Sequence, residues 1–277
     1  MLWVAGSPVG AWSSDDGAVA VFGGTDDDES FSVAVDSSGN VYTTGHFNDT
    51  VDFDPGAGTE NLTSQSHRDG FVSKLDSSGN YVWAKSFAGG AATESRSVAV
   101  DSSGNVYTTG FFSGTIDFDP GAGTANLTSN GSVDVFVSKL DSSGNYVWAK
   151  SFGQGFNDFG FSVAVDSSGN VYTTGSFYGT VDFNPDPEET ANLSATGSLT
   201  RDDVFVLKLD SSGDYVWAKN FGSTSNDYIY SVAVDSSGNV YTTGAFGGTV
   251  DFDPGAGTAN LTYDHLYGNA GFVSKLD

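Results

Sequence analysis

Residues 32–45 read SVAVDSSGNVYTTG, and the same fourteen residues return at 97–110, 162–175 and 231–244. Their aspartates, Asp36, Asp101, Asp166 and Asp235, are spaced by 65, 65 and 69 residues. A second block, FVSKLDSSGNYVWAKSF at 71–87, interleaves with the first and repeats at 136–152 and, with small changes, at 205–221. A regular period of this kind marks an array in which one supersecondary unit recurs and neighbours bury each other's faces. A multi-domain enzyme does not fit it.

Within one unit, SVAVD, NVYTTGF, TVDFD, NLTS, FVSKLD and NYVWAKSF run four to eight residues each. They are rich in Val, Phe, Tyr and Thr and bounded by Gly, Asp, Asn or Ser, which is the pattern of strands. DSSGN joins two such runs, its Gly suited to positive φ and its Asp to accepting turn N–H groups. Ser113-Gly114, Tyr178-Gly179 and Gly247-Gly248 read as two-residue hairpin turns between NVYTTGF and the following VDF or IDF strand. The expectation is four units of antiparallel meander.

The last unit stops at FVSKLD, ending with Asp277, without a YVWAKSF strand, while Phe22 precedes Asp36 by the same 14 residues that separate Phe87, Phe152 and Phe221 from Asp101, Asp166 and Asp235. Residues 17–22 therefore read as a degenerate copy of the absent strand. Pairing it with the last unit gives an all-β, four-bladed β-propeller in one domain over 1–277, with repeats at about 31–95, 96–160, 161–229 and 230–277. Such closure removes exposed sheet edges. The rival is that the same strand completes the next molecule, giving head-to-tail assembly. The apolar extension 1–16, with Trp3 and Trp12, has no role in a closed ring and leans toward assembly. It lacks a charged n-region and is read as mature chain or as a boundary trimmed elsewhere.

AVDSSGNVYTTG followed by DVFVSKLDSSGNYVWAKSFG resembles the bacterial SBBP β-propeller repeat, from about Gly17 to Asp277. The resemblance implies a propeller fold and a bacterial, extracellular or cell-surface setting. The chain differs by carrying a TVDFDPGAGTANLTS-type insertion in each unit and by showing only four units.

Composition narrows the function. Asp and Glu total 35 against 10 Lys and Arg, a net charge of −25, which excludes nucleic acid and anionic membrane surfaces as partners. Only five acids are Glu, so the acidity is that of turn-forming Asp. With no Cys there is no disulfide frame, thiolate metal site or Cys nucleophile. No apolar run approaches the roughly 18 residues of a membrane-spanning helix, so no membrane insertion is expected.

Alternation of turns puts every DSSGN at one end of the units and the non-repeated connections at the other. Those connections are 65–69, 130–134, 195–203 and 263–271, with 23–30, 88–96, 153–161 and 222–230. Variation between otherwise uniform units marks the binding end. It offers Phe156, Phe159, Phe161, Tyr228, Tyr230, Tyr263 and Tyr267 beside Asp26, Asp27, Asp28, Asp158 and Asp227. Aromatics among carboxylates suit a glycan or a protein partner; the competing reading is that they pack between units.

Asp52 and Asp54, Asp117 and Asp119, and Asp251 and Asp253 stand at i, i+2 before Gly, as in calcium loops. The set stops at two acids, a Pro follows the second, and the third unit has Asn184. The structural reading, a cap on the PGAG turn, is preferred; no cofactor is expected, with calcium as the alternative. His46, His67 and His265 occupy unrelated positions, and no Ser-His-Asp order or His-x-x-x-His spacing exists. No pair of acids stands asymmetrically about one cleft, so a non-enzymatic role is expected. Lys85, Lys150 and Lys219, two residues after Trp83, Trp148 and Trp217, share a strand face with them, placing YVWAKSF as the outermost strand, with the Lys stem over its aromatic neighbour.

Overall fold

The period-two alternation of Val, Tyr and Thr yields strands throughout. A computed structural model describes residues 20–66, 68–196, 201–265 and 268–277, and these contain strands, turns and no helix. The first unit holds β1 (Glu29–Val35), β2 (Val41–Phe47), β3 (Thr50–Asp52), β4 (Asn61–Thr63), β5 (Asp69–Leu75) and β6 (Tyr81–Gly89). The second holds β7 (Thr93–Val100), β8 (Val106–Phe112), β9 (Thr115–Asp117), β10 (Asn126–Thr128), β11 (Asp134–Leu140) and β12 (Tyr146–Phe152). The third holds β13 (Phe159–Val165), β14 (Val171–Phe177), β15 (Thr180–Asp182), β16 (Asn192–Ser194), β17 (Asp203–Leu209) and β18 (Tyr215–Phe221). The fourth holds β19 (Tyr228–Val234), β20 (Val240–Phe246), β21 (Gly248–Asp251), β22 (Asn260–Tyr263) and β23 (Ala270–Leu276).

Each of the first three units is a four-stranded antiparallel meander, β1-β2-β5-β6 in the first, with the insertion forming a separate short hairpin such as β3-β4. YVWAKSF is the outer strand of each meander, as expected. The DSSGN turns are built alike: in the second unit Asp101 Oδ1 accepts from Ser103 N at 2.8 Å and Asn105 N at 2.9 Å. Its Oδ2 accepts from Asn105 Nδ2 and Tyr107 Oη, and Gly104 takes φ 81°. One carboxylate thus satisfies the turn and fixes the Tyr of the next strand.

Three of the four cores lie between units, and the fourth, Phe47, Val51, Phe53, Phe71 and Ala84 with Phe22 against them, lies within the first. Tyr42, Val72, Trp83 and Phe87 of the first unit pack on Val98, Val106, Phe112, Phe118 and Phe136 of the second. The same positions form the second junction and the third. At the inner strands, Ser32, Ser97 and Ser162 Oγ accept from the backbone N–H of Val98, Val163 and Val232 of the following unit, each at 3.2 Å. At the outer end, Trp83 Nε1 and Lys74 Nζ donate to Ser142 O, and Trp148 Nε1 and Lys139 Nζ donate to Ser211 O. Trp83 and Lys85 both lie against Gly144 of the next unit's turn, so they clamp the neighbouring unit, beyond the expected contact with each other.

Two expectations need correction. The turns at 113–114, 178–179 and 247–248 do have a Gly at φ 63–66°, but they are not hairpins. β8 pairs with β7 and β11, while β9 pairs with β10 and with the end of β6, Ala88 opposite Asp117. The turn redirects the chain out of the sheet so that the insertion can brace the preceding unit. Nor do the described residues form a closed four-bladed ring. β23 bonds to β20 alone, and β1 and β19 do not pack together as successive inner strands do. Residues 20–22 form no strand; residues 1–16, and 17–19 of the expected closing strand, lie outside the described residues. Phe22 nonetheless has the environment that its spacing predicts. Its ring lies 5.1 Å from Phe53 and 5.4 Å from Phe71, as Phe87 lies against Phe118 and Phe136. That anchor holds Phe22 to the first unit, and among the described residues the four units are not closed into a ring.

Candidate functional site

Carboxylates pin the non-repeated connections, all of those named below buried except Asp28, which is half-buried. Asp158 accepts from Gln154 N at 2.9 Å and Tyr178 N at 3.0 Å. Asp28 does the same for Gly24 N and Asn48 N, and Asp227 for Ser223 N and Gly247 N. Thr93 stands at the equivalent place in the second unit. Asp69, Asp134 and Asp203 perform a similar task one strand away, taking Gln65 N, Asn130 N and Thr196 N. The acids expected to meet a ligand are therefore, at Asp28, Asp158 and Asp227, engaged in holding loops. Burial pushes Asp158 up to about 7 and Asp227 to about 6, against the hydrogen bonds that favour ionisation. A raised carboxyl is the mark of a general acid only where substrate can reach it. Asp158 is fully buried with both oxygens bonded, so this one is a staple.

The aromatic candidates separate into groups. Phe159 and Phe161 stack at 6.1 Å on β13, and Tyr228 and Tyr230 at 6.5 Å on β19. Phe161 and Tyr263 also pack at the edge of the third core, so the packing reading holds for them in part. Phe156, 40% exposed, and Tyr230, 61% exposed, face solvent. Tyr263 instead stacks on His265, and Tyr267 and His67 lie outside the described residues.

Sequence reasoning missed the feature that links these groups. The residue before each SVAV is Phe31, Arg96, Phe161 and Tyr230, one Arg in an otherwise aromatic column. The Arg96 guanidinium lies 4.2 Å from the Phe31 ring centre and 5.2 Å from that of Phe111, a cation–π arrangement. Phe111 in turn meets Phe159 edge-on at 4.9 Å. Arg96 Nη2 donates to Glu94 Oε2 at 2.6 Å and Arg68 Nη1 to Glu94 Oε1 at 2.7 Å; these are the only ion pairs among the described residues. His46 stacks on Phe31 at 5.5 Å. It is buried with neither ring nitrogen paired among the described residues. Burial holds it below the usual imidazole range, with Glu94 and Arg68 pulling in opposite directions, so it is neutral at pH 7. The signal was available in the column itself: a repeat that keeps SVAV intact changes charge at the residue just before it.

The paired acids of the insertions turn oxygens to the backbone of their own turns. Asp54, offered as a metal ligand, caps its PGAG turn. Its Oδ1 accepts from Gly56 N at 2.7 Å, and its Oδ2 occupies the space that a Cβ at Gly58 would need. Asp52 Oδ1 accepts from Asp54 N at 3.0 Å and Glu60 N at 2.8 Å. The two carboxylates thus turn these oxygens to backbone N–H groups rather than to a common point. The second unit does the same: Asp117 Oδ1 accepts from Asp119 N at 3.0 Å and Ala125 N at 2.8 Å, and Asp119 Oδ1 from Gly121 N at 2.8 Å. In the fourth, Asp251 Oδ1 takes Asp253 N and Ala259 N, and Asp253 Oδ1 takes Gly255 N. Asp182 with Asn184 reproduces the pattern without the second acid, so the turn needs an acceptor there and not a charge. Among the described residues no three His, Cys, Asp or Glu side chains converge on a point.

A profile of the SBBP family, described as a β-propeller repeat, matches residues 21–46, 82–110, 147–176 and 216–245. Three of the matches run from an outer strand into the first two strands of the next unit, and the first runs from Val21 through Phe22 into β1 and β2. Over 205 residues the chain is 28% identical to an uncharacterized WD repeat-containing protein of Acanthamoeba polyphaga mimivirus, covering 64% of this chain and 14% of that protein's length. The repeats found in the sequence, their strand register and the profile coincide: the chain carries four copies of the SBBP β-propeller repeat.

Proposed function

We propose that the chain is a non-catalytic protein-interaction module that binds its partner at the end carrying the non-repeated connections. The observation that carries this reading is the column Phe31, Arg96, Phe161 and Tyr230 with its Glu94 and Arg68 partners. Arg and aromatic side chains supply most binding hot spots, because they bury large area at low entropic cost and still present polar atoms. They stand where units differ, while the DSSGN end is the same in every unit. Kinship with a WD repeat-containing protein supports the class of role, and the SBBP resemblance supports a bacterial, extracellular or cell-surface setting. In this reading the Asp-x-Asp pairs brace the PGAG turns and hold no calcium. A glycan partner would use the same exposed rings, Phe156 and Tyr230, stacked on sugar C–H faces.

The test is site-specific photo-crosslinking. A photoreactive phenylalanine at position 230 or 156 is compared with one at Ser78 in a DSSGN turn, in extracts of the source organism, together with a glycan array. The expected result is one discrete protein adduct from positions 230 and 156, lost on Arg96→Ala in the same chain, and no adduct from position 78. Adducts only from position 78, or glycan binding that survives Tyr230→Ala with Phe156→Ala, would overturn the assignment.

A further inference from the structure

His46 and Arg96 share two neighbours, and only Arg96 carries a charge at neutral pH. The Arg96 guanidinium lies 4.2 Å from the Phe31 ring centre and donates to Glu94 Oε2. The His46 ring lies 5.5 Å from the same Phe31 centre and feels the same Glu94 carboxylate. Arg96 is the extra residue of a bulge, the β7–β8 register passing from Ser95 to Ser97 around it, and a bulge re-aims the side chain it carries. His46 stands on the side of β2 that carries the buried Tyr42, which packs on the second unit. The cluster therefore lies within the junction of the first and second units and does not depend on either end of the chain. Four charged groups face the imidazole. Glu29 is its partner across the β1–β2 pair, Arg68 comes from the connection before β5, and Glu94 and Arg96 come from β7; its partner on β5 is the uncharged Gly70. Burial opposes the charged ring most, the two acids favour it, Glu94 more than Glu29, and the two arginines oppose it.

We infer that His46 is an acid-operated switch of this site: on taking a proton it competes with Arg96 for Glu94 and Phe31, and Arg96 leaves both. The exchange runs in this direction because the two cations differ in what they can reach. His46 is 2% exposed and neither ring nitrogen has a partner among the described residues, so the charged ring must take a carboxylate from inside the cluster. Arg96 keeps 34% of its side-chain surface in solvent, so water receives its guanidinium. Arg68 holds Glu94 Oε1 at 2.7 Å, which leaves Oε2, now held by Arg96, for the imidazolium. Both cations are drawn to the Phe31 ring, but like charges against one half-buried ring repel each other. Burial holds the imidazole below its usual value of about 6.5, so the ring is neutral at pH 7 and charges as the solution becomes mildly acidic. The consequence for binding rests on the interaction reading above. A partner that takes the form with Arg96 on Phe31 loses about tenfold in affinity for each pH unit below the His46 midpoint. Asp158 and Asp227 titrate in a similar range but belong to the third and fourth units, so substitution at position 46 separates their effect. The counterparts of His46 are Phe111, Ser176 and Ala245; the other units lack the switch, and the fold accepts replacements at this position.

The experiment follows imidazole C2–H and arginine Nε–H signals by nuclear magnetic resonance from about pH 7.5 to about pH 4.5 in the unaltered chain, His46→Phe and His46→Ser. The chain has three His and three Arg, so the His46 signal is assigned by its absence from the two variants and the Arg96 signal by its absence from Arg96→Ala. The expected result is a His46 midpoint below about 6.5, an Arg96 signal that moves with that midpoint, and no such movement in either variant. In parallel, the photo-adduct formed from position 156 at about pH 7 should be lost at about pH 5 in the unaltered chain and kept in His46→Phe. A His46 that stays neutral throughout, or an Arg96 signal that ignores the His46 titration or moves equally in both variants, would overturn the inference. An adduct that survives in the unaltered chain after Arg96 has moved would overturn it too. Arg96 moving with His46 while no adduct forms at any pH would leave the switch standing and remove the interaction reading instead.

Discussion

Four valines at one position of the third strand give a measurement in which chemistry is constant and only the neighbour changes. Val72, Val137 and Val206 are fully buried against a following unit, and Val273 is 78% exposed. Replacing Val by Ala removes two carbons, a transfer loss of about 1.6 kcal/mol at about 0.8 kcal/mol per buried carbon. Incomplete collapse of the site raises this to about 2–3 kcal/mol. At Val273 only the covered fifth of that burial is lost, so the same arithmetic gives about 0.3 kcal/mol. The assay is urea unfolding followed by far-ultraviolet circular dichroism, on chains dilute enough to be monomeric, comparing variants whose m-value is unchanged. Val137→Ala and Val206→Ala should each lose about 2–3 kcal/mol, and Val273→Ala less than about 0.5. If Val273→Ala costs as much as Val137→Ala in a monomer, the fourth unit's face is covered. If Val137→Ala costs less than about 0.5 kcal/mol, the cores do not lie between the units.

Asp101→Ala removes the acceptor of four hydrogen bonds in one turn and should cost about 2–4 kcal/mol in the same urea assay; a cost near zero would show that Gly104 alone shapes the turn. Gly110 stands where a Cβ would overlap the carbonyl oxygen of Glu94, so Gly110→Ala should break the β7–β8 pairing, seen as lost amide-exchange protection in those strands. Stability should fall as pH rises from about 5 to 8. Burial raises Asp158 and Asp227 in the folded state, so the native chain binds more protons than the unfolded one across that window. Below about pH 4 the opposite limb appears. There burial of Asp101 and Asp166 is outweighed by bonds from Asn105 and Asn170, which lower both carboxyls, and protonating them removes that contribution. A midpoint that is flat or rising from pH 5 to 8 would contradict the buried-staple geometry. Millimolar calcium should raise the melting temperature no more than magnesium does, since the leading Asp oxygens already hold backbone N–H groups; a calcium-selective rise would reverse that reading.

The strands, their order and the DSSGN geometry were legible because each depends on local chemistry: alternating Val and Tyr, a Gly at positive φ, an Asp two residues before its N–H partners. The 14-residue spacing singled out Phe22, which packs on Phe53 and Phe71 as Phe87 packs on Phe118 and Phe136, although residues 20–22 form no strand. Closure was not legible, because it depends on whether the face of Val273 meets that of Val33, and both faces carry the same sequence as their buried counterparts. The insertion turns misled for a related reason. A Gly at φ 63–66° fits a hairpin and a redirecting turn equally, and only the pairing of β9 with the end of β6 distinguishes them. Loop acids looked like ligand groups because their partners are backbone N–H groups, which leave no trace in a sequence.

Near-identity among repeats cannot separate what duplication preserved from what selection maintains, so the informative residues are those that break the repeat and also touch one another. An isolated departure is expected from drift on a tolerant surface. Arg68, Arg96 and His46 depart from their counterparts in the other units, Glu94 shares its glutamate only with Glu29 of the first, and the four sit together against Phe31 and Phe111. Arg68 and Arg96 keep 48% and 34% of their side-chain surface exposed while Glu94 keeps 9%, so the desolvation cost that an apolar column would avoid falls mainly on the Glu94 carboxylate. The column elsewhere reads Phe, Phe and Tyr, so the apolar solution is available to this fold and has been used three times. A costly exception set among three cheaper copies at the loop end is therefore explained by what binds there more readily than by what the fold requires. Arg96→Phe, which restores the column, separates the two: it should hold or raise the urea midpoint while abolishing the adduct formed from position 230. A large loss of stability would instead make the ion cluster a structural element of the junction between the first two units.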